Sequence, residues 1–153
     1  MANEPSFDVA QAHGYFSANC FNRAWELIDK PDRTAEEDEQ MIRLAQASLW
    51  HWTERSDCSD KNLSIGNWQV SRVYALLSQA DNARKYAQLC LEKTPADDPF
   101  CLGYAYEALA RAESIAENAE RAKAHLAQAW QQAEAVTDDE SKQMLVDDLQ
   151  TLA

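Results

Sequence analysis

The chain has 153 residues, about one domain by length. Its 14 Lys and Arg stand against 26 Asp and Glu, a formal charge of −12. Nucleic acid and an anionic membrane surface are therefore not expected partners, because phosphate binding needs a surplus of cationic side chains. With 3 Gly and 4 Pro, a turn-rich β-sandwich or barrel is disfavoured, while 46 % hydrophobic residues supply a core.

Punctuation divides the chain into about seven helices. Ser6 is read as the cap of a first helix reaching about Lys30, where Pro31-Asp32 stops it. Thr34 and Glu37 have the spacing of a capping box and open a second helix through about Glu54. Ser56 to Asn62 is polar and reads as a loop, so the third helix is expected from about Ser64 to Gln79. Asp81 caps a fourth to about Lys93, closed by Pro95. Asp98-Pro99 starts a fifth, an N-cap followed by proline at the first helical position. A sixth covers about Asn118 to Val136, and a second capping box, Thr137 to Glu140, opens a seventh at about 138–152. No useful strand pattern appears, so the expected fold class is all-α, with short connections making neighbouring helices antiparallel.

Several acidic residues fall in first turns, where the helix dipole favours them: Glu36, Glu37, Asp38, Asp138, Asp139 and Glu140. Asp147 and Asp148 lie near the end of the last helix, where that argument reverses. The segment Met1 to Asp8 carries acid where a signal peptide carries base, and no run approaches the roughly 18 apolar residues of a membrane span. Cys20, Cys58, Cys90 and Cys101 contain no C-x-x-C, and three of them lie on apolar helix faces. Free thiols in a cytoplasmic protein are the expectation.

The hairpins recur. The expected starts at Ser64 and Asp98 differ by 34, and Ala83/Ala87/Cys90 share their spacing with Ala122/Leu126/Ala129 at an offset of 39. Such a recurrence resembles the tetratricopeptide (TPR) family, with Ser71, Tyr74, Ala83, Cys90 and Pro95 at matching positions. Asn67 stands where the family has Trp, with Trp68 one residue late, and Ala87 replaces the usual aromatic. The resemblance is best over 62–95, looser over 98–136 and architectural over 6–55, with 138–152 as a capping helix. It implies a single domain of stacked hairpins in a right-handed superhelix. The strings Trp50-His51-Trp52, Trp68 to Ala75 and Tyr104 to Arg111 further resemble a group of functionally uncharacterised bacterial TPR-like proteins.

Chemistry-bearing motifs are sparse. His13, His51 and His125 have no metal-ligand spacing, the three glycines are isolated, and no Ser or Cys stands in a catalytic signature. Neither metal, cofactor nor catalytic residue is assigned. What stands out is polar residues within apolar stripes. Ile65, Trp68, Arg72 and Leu76 share one face of the third helix, and Phe100, Tyr104, Glu107 and Arg111 one face of the fifth. The resemblance puts the first stripe on a concave groove. An Arg inside an apolar stripe needs an anion, a carbonyl or water, so Arg72 and Glu107 are expected to face one another. Glu107 and Arg111 form a favourable i,i+4 pair.

Trp50 and Trp52 point some 200° apart on one helix, so only one can join Leu44, Ala45 and Ser48 in the core. His51, between them, reads as a hydrogen-bonded structural residue, and Trp25 and Trp130 as core. Three functions follow. The first is a non-catalytic module whose groove (Trp68, Arg72, Tyr104, Arg111) takes a protein segment or peptide. The second is a small-molecule site or an unrecognised enzyme using His51, Arg72, Tyr106 and Glu107. The third is a homodimer that buries the surplus tryptophan.

Overall fold

The computed structural model describes residues 3–152. Among them are seven helices and no strand: α1 (Val9–Ile28), α2 (Ala35–Thr53), α3 (Asp60–Leu76), α4 (Ala80–Lys93), α5 (Pro99–Ile115), α6 (Ala119–Ala135) and α7 (Asp139–Gln150). The all-α class is as expected. The chain forms two compact units, one ending at Ser59 and one beginning at Asp60.

In the first unit, α1 packs antiparallel on α2, with Ser17, Cys20 and Ala24 buried against Met41, Leu44, Ala45 and Ser48. The cap of α1 is Asp8, whose carboxylate accepts from the Gln11 N–H at 3.0 Å, and not Ser6. Aspartate caps as well as serine and adds a negative charge to the positive helix end. The Thr34/Glu37 capping box forms as read, at 3.2 Å and 2.9 Å. Arg33 secures the turn: one guanidinium nitrogen donates to the carbonyls of Leu27, Ile28 and Lys30, while Nε donates to Asp38 at 2.8 Å. A cation thus satisfies the orphan carbonyls at the end of α1.

In the second unit, α3 begins at Asp60, four residues before the expected start. Asp60 pairs with Lys93 at 3.6 Å and Lys61 with Asp98 at 2.7 Å, so residues 60–62 of the polar run are a solvated first turn, while 56–59 form a loop as read. Ser64 is no helix start. It is buried, and its hydroxyl meets Thr94 Oγ1 at 2.7 Å. This changes the step between hairpins. Helix α3 begins at residue 60 and α5 at 99, a step of 39 and not 34; α4 begins at 80 and α6 at 119, the offset of 39 read for the second helices.

The two hairpin turns repeat in detail. Ser78 and Glu117 both have positive φ, at 57° and 60°. The N–H groups of Ser78 and Gln79 donate to Ala75 and Tyr74, and those of Glu117 and Asn118 to Ser114 and Glu113. Both are Schellman endings without glycine. Gln79 and Asn118 then open the next helices without a side-chain cap bond, so Asp81 is a first-turn residue, held to Arg84 at 2.9 Å, and not a cap. Asp98 caps α5 through the Cys101 N–H at 3.0 Å, with Pro99 leading the helix as expected. The seventh helix is capped by Asp138, through the Ser141 N–H at 2.8 Å, and not by Thr137.

The core of this unit is made largely of small residues, Ala83, Ala87, Ala105, Ala108, Ala112, Ala129 and Ala133, which let helices approach closely. At Gly103 an added Cβ would collide with the Leu145 methyls, so glycine here sets how near α7 lies to α5. Trp130 packs at the edge of its cluster, and Trp25, like it, is half-buried and not central. Among the described residues no disulfide joins the cysteines, of which Cys20, Cys90 and Cys101 are buried; burial raises the Cys90 thiol to about 11.

One ion pair in this unit carries a pH prediction. Buried Glu113 on α5 receives both Nε and Nη2 of Arg84, at 2.7 Å and 3.1 Å, and Asn118 Nδ2 at 2.8 Å. Arg84 first, then Asn118, hold its carboxyl at about 2 against an ordinary value of 4.5, despite burial. A depressed folded pKa stabilises fully above the unfolded value, and that stabilisation is lost as pH falls from 4.5 towards 2. The linkage amounts to about 3 kcal/mol. Urea unfolding of wild type and Glu113→Gln should therefore differ most above pH 5 and converge near pH 2. A gap independent of pH would refute this origin.

Candidate functional site

Helices α3, α5 and α7 run parallel, since residues 61, 68 and 72 meet 98, 104 and 107, and residues 104 and 111 meet 148 and 151. At the step of 39, Ile65, Trp68 and Arg72 of α3 correspond to Tyr104, Glu107 and Arg111 of α5. The two apolar stripes therefore share one register.

Glu107 is the hub. Its side chain is only 1 % exposed. One oxygen accepts from Trp68 Nε1 at 3.1 Å; the other accepts from Arg111 Nε at 2.7 Å and lies 3.8 Å from Arg72 Nη2. Arg72, 12 % exposed, also donates to Asp148 at 3.1 Å, and the same carboxylate accepts from the Tyr104 hydroxyl at 2.8 Å. Arg111 reaches Thr151 Oγ1 at 3.0 Å. Rings complete the row: Phe100, Tyr104 and Trp68 meet edge to face at 5.1 Å each, and the Arg72 guanidinium lies 5.7 Å from the Trp68 ring centre. Burial, then the Asp148 carboxylate, pushes the Tyr104 phenol far above its ordinary range, so it is a donor and not a base.

Five of the candidate residues, Trp68, Arg72, Tyr104, Glu107 and Arg111, thus converge. Tyr106 does not join them. It turns towards α6, stacked on His125 with ring centres 6.4 Å apart. His51 lies on α2 in the other unit, where its Nδ1 meets His13 Nδ1 at 2.9 Å. Neither tryptophan beside it is buried: Trp50 is 55 % exposed, and Trp52 is half-buried under the Arg55 guanidinium at 3.9 Å. Neither joins the core as one of them was expected to, because its places are taken by Met41, Leu44, Ala45 and Ser48.

Sequence reasoning missed Asp148 and Thr151, which lie on or just after α7, far along the chain from Arg72. The one available signal was Asp148 itself, a carboxylate at the unfavourable end of its helix; Arg72 and Tyr104 compensate it.

Chemically, the site is a balanced cluster of two guanidiniums and two carboxylates. Its weak point is Asp148, 32 % exposed, beside an Arg72 whose buried Nε has no hydrogen-bond partner. Among the described residues no group of three or more His, Cys, Asp or Glu is arranged to hold a metal ion, and no helix is long and apolar enough to cross a membrane. No protein-family model, curated protein or solved structure matches the chain.

Proposed function

We propose that the unit beginning at Asp60 is a stack of TPR-like hairpins acting as a non-catalytic interaction module, whose α3–α5–α7 face takes a protein segment or peptide. The observation that carries this reading is the row of Phe100, Tyr104, Trp68 and Arg72 across neighbouring helices, with Ile65 and Leu76 exposed on the α3 stripe. The preferred segment carries a carboxylate. Arginine presents a planar fork suited to that group, and the half-buried Asp148 is the partner such a carboxylate replaces. The free thiols support a reducing, cytoplasmic setting.

The test is a displayed peptide library screened against wild type, Ile65→Glu, Leu76→Glu and Asp148→Asn. Enrichment of carboxylate-bearing peptides is expected for wild type, with loss in both glutamate variants and a gain in Asp148→Asn, which frees Arg72. Equal enrichment by wild type and the glutamate variants overturns the reading. Circular dichroism of each variant should match wild type, the control that the substitutions leave the fold intact.

Self-association is a second reading, favoured by the exposed rings of Tyr15, Phe16 and Trp50. A concentration-dependent mass by light scattering, abolished by Trp50→Ser, is its signature.

A further inference from the structure

The histidine pair in the first unit has a property that neither imidazole has alone. His13 comes from the second turn of α1 and His51 from the last turn of α2, and their Nδ1 atoms approach to 2.9 Å. Imidazole nitrogens hold one proton or one lone pair each, so this contact needs one donor and one acceptor. It forms when both rings are neutral in opposite tautomers, and when one is cationic and the other neutral. It does not form when both are cationic, because two N–H groups then point at each other between like charges.

Surrounding groups reinforce the arrangement. The His51 ring stacks on Phe16 at 5.4 Å and lies against Trp50 at 4.8 Å, and His13 meets Trp50 edge-on at 5.3 Å. These rings restrict hydration of a second cation without neutralising it. Burial first, then the charge of His13, lowers the His51 pKa, with Glu54 pulling the other way. Arg55, the nearby cation, reaches Ser17 Oγ one turn beyond His13 and is held by Asp57.

We propose that His13 and His51 form a proton-operated latch between α1 and α2, closed while the pair holds at most one extra proton and released when it takes the second. Release separates the start of α1 from the end of α2 and frees the Phe16 and Trp50 rings from the imidazoles. The nearby clamp from Ser48 Oγ to the Ser17 carbonyl, at 2.7 Å, is uncharged and limits the opening to this end of the hairpin.

Histidine-detected NMR across pH 8 to 4.5, on the full chain, tests the latch together with amide exchange corrected for intrinsic rate. In wild type the pair should take up its protons in two separated steps. As pH falls towards the lower step, the opening equilibrium for amides of residues 12–17 should rise about tenfold per pH unit, the slope of one coupled proton, and protection should be lost below it. In His13→Gln the remaining His51 should titrate in a single step, with exchange free of that slope. The proposal stands only if wild type shows both the separated steps and the loss of protection at the lower one. One shared step, or protection independent of pH, overturns it whatever the variant does.

Discussion

Glu107→Ala is expected to destabilise the unit beginning at Asp60 by about 3–5 kcal/mol, the usual result of removing one partner from a buried ion pair. The carboxylate is nearly inaccessible and serves Trp68, Arg111 and Arg72 together. Its removal leaves the Trp68 N–H without this acceptor and two guanidiniums facing each other with Asp148 alone between them and charge balance. Glu107→Gln keeps the volume and one acceptor but turns an amide N–H towards a donor, so its cost should be smaller, about 1–3 kcal/mol. The double variant Glu107→Ala, Arg111→Ala should cost clearly less than the sum of the two single changes, because each single change strands the other group. Urea unfolding of wild type and the four variants decides the matter. A loss below about 1 kcal/mol for Glu107→Ala would mean that water replaces the carboxylate and that the hub does not hold these helices together.

Leu149→Ala is the second large effect, expected at about 2–5 kcal/mol. Helix α7 has twelve residues, too short to persist alone, and is anchored through the fully buried Leu145 and Leu149 against Ala129, Ala133 and Val136. Shortening Leu149 opens a cavity beside Asp148 and loosens its grip on Arg72 and Tyr104. Amide exchange should therefore rise first in α7, ahead of global unfolding, while Asp147→Asn, on the exposed side of the same helix, should leave exchange nearly unchanged. Equal protection of α7 in wild type and Leu149→Ala would show that the helix is held by its polar contacts instead.

Legibility followed the range of each interaction. The Thr34/Glu37 capping box and the Asp98-Pro99 start are set within four residues of chain, and both form as read. The start of α3 was missed because the polar run from Asp60 gains its helical order from Lys93 and Asp98, which lie on other elements. The Schellman turns at Ser78 and Glu117 were invisible because neither carries glycine, the usual mark of a left-handed residue. At the site, the stripes containing Trp68, Arg72, Tyr104, Glu107 and Arg111 were legible from helical periodicity. The odd position of Asp148 was legible too, but not its partners.

The sequence by itself determined the net charge of −12, the all-α class, about seven helices and the arginine embedded in an apolar stripe, since each depends on composition or on contacts within a turn or two. The i,i+4 pair of Glu107 with Arg111 and the approach of Arg72 to Glu107 were legible as well; only the tertiary structure decided the other pairs. It chose Asp148 for Arg72, Glu113 for Arg84 and His13 for His51. Pairings of this kind depend on how small residues such as Gly103 and Ala87 let helices settle in register, and a shift of one turn would select different partners. The acidity behind the net charge of −12 is thus partly consumed inside the molecule, at helix starts and in buried pairs with the few arginines.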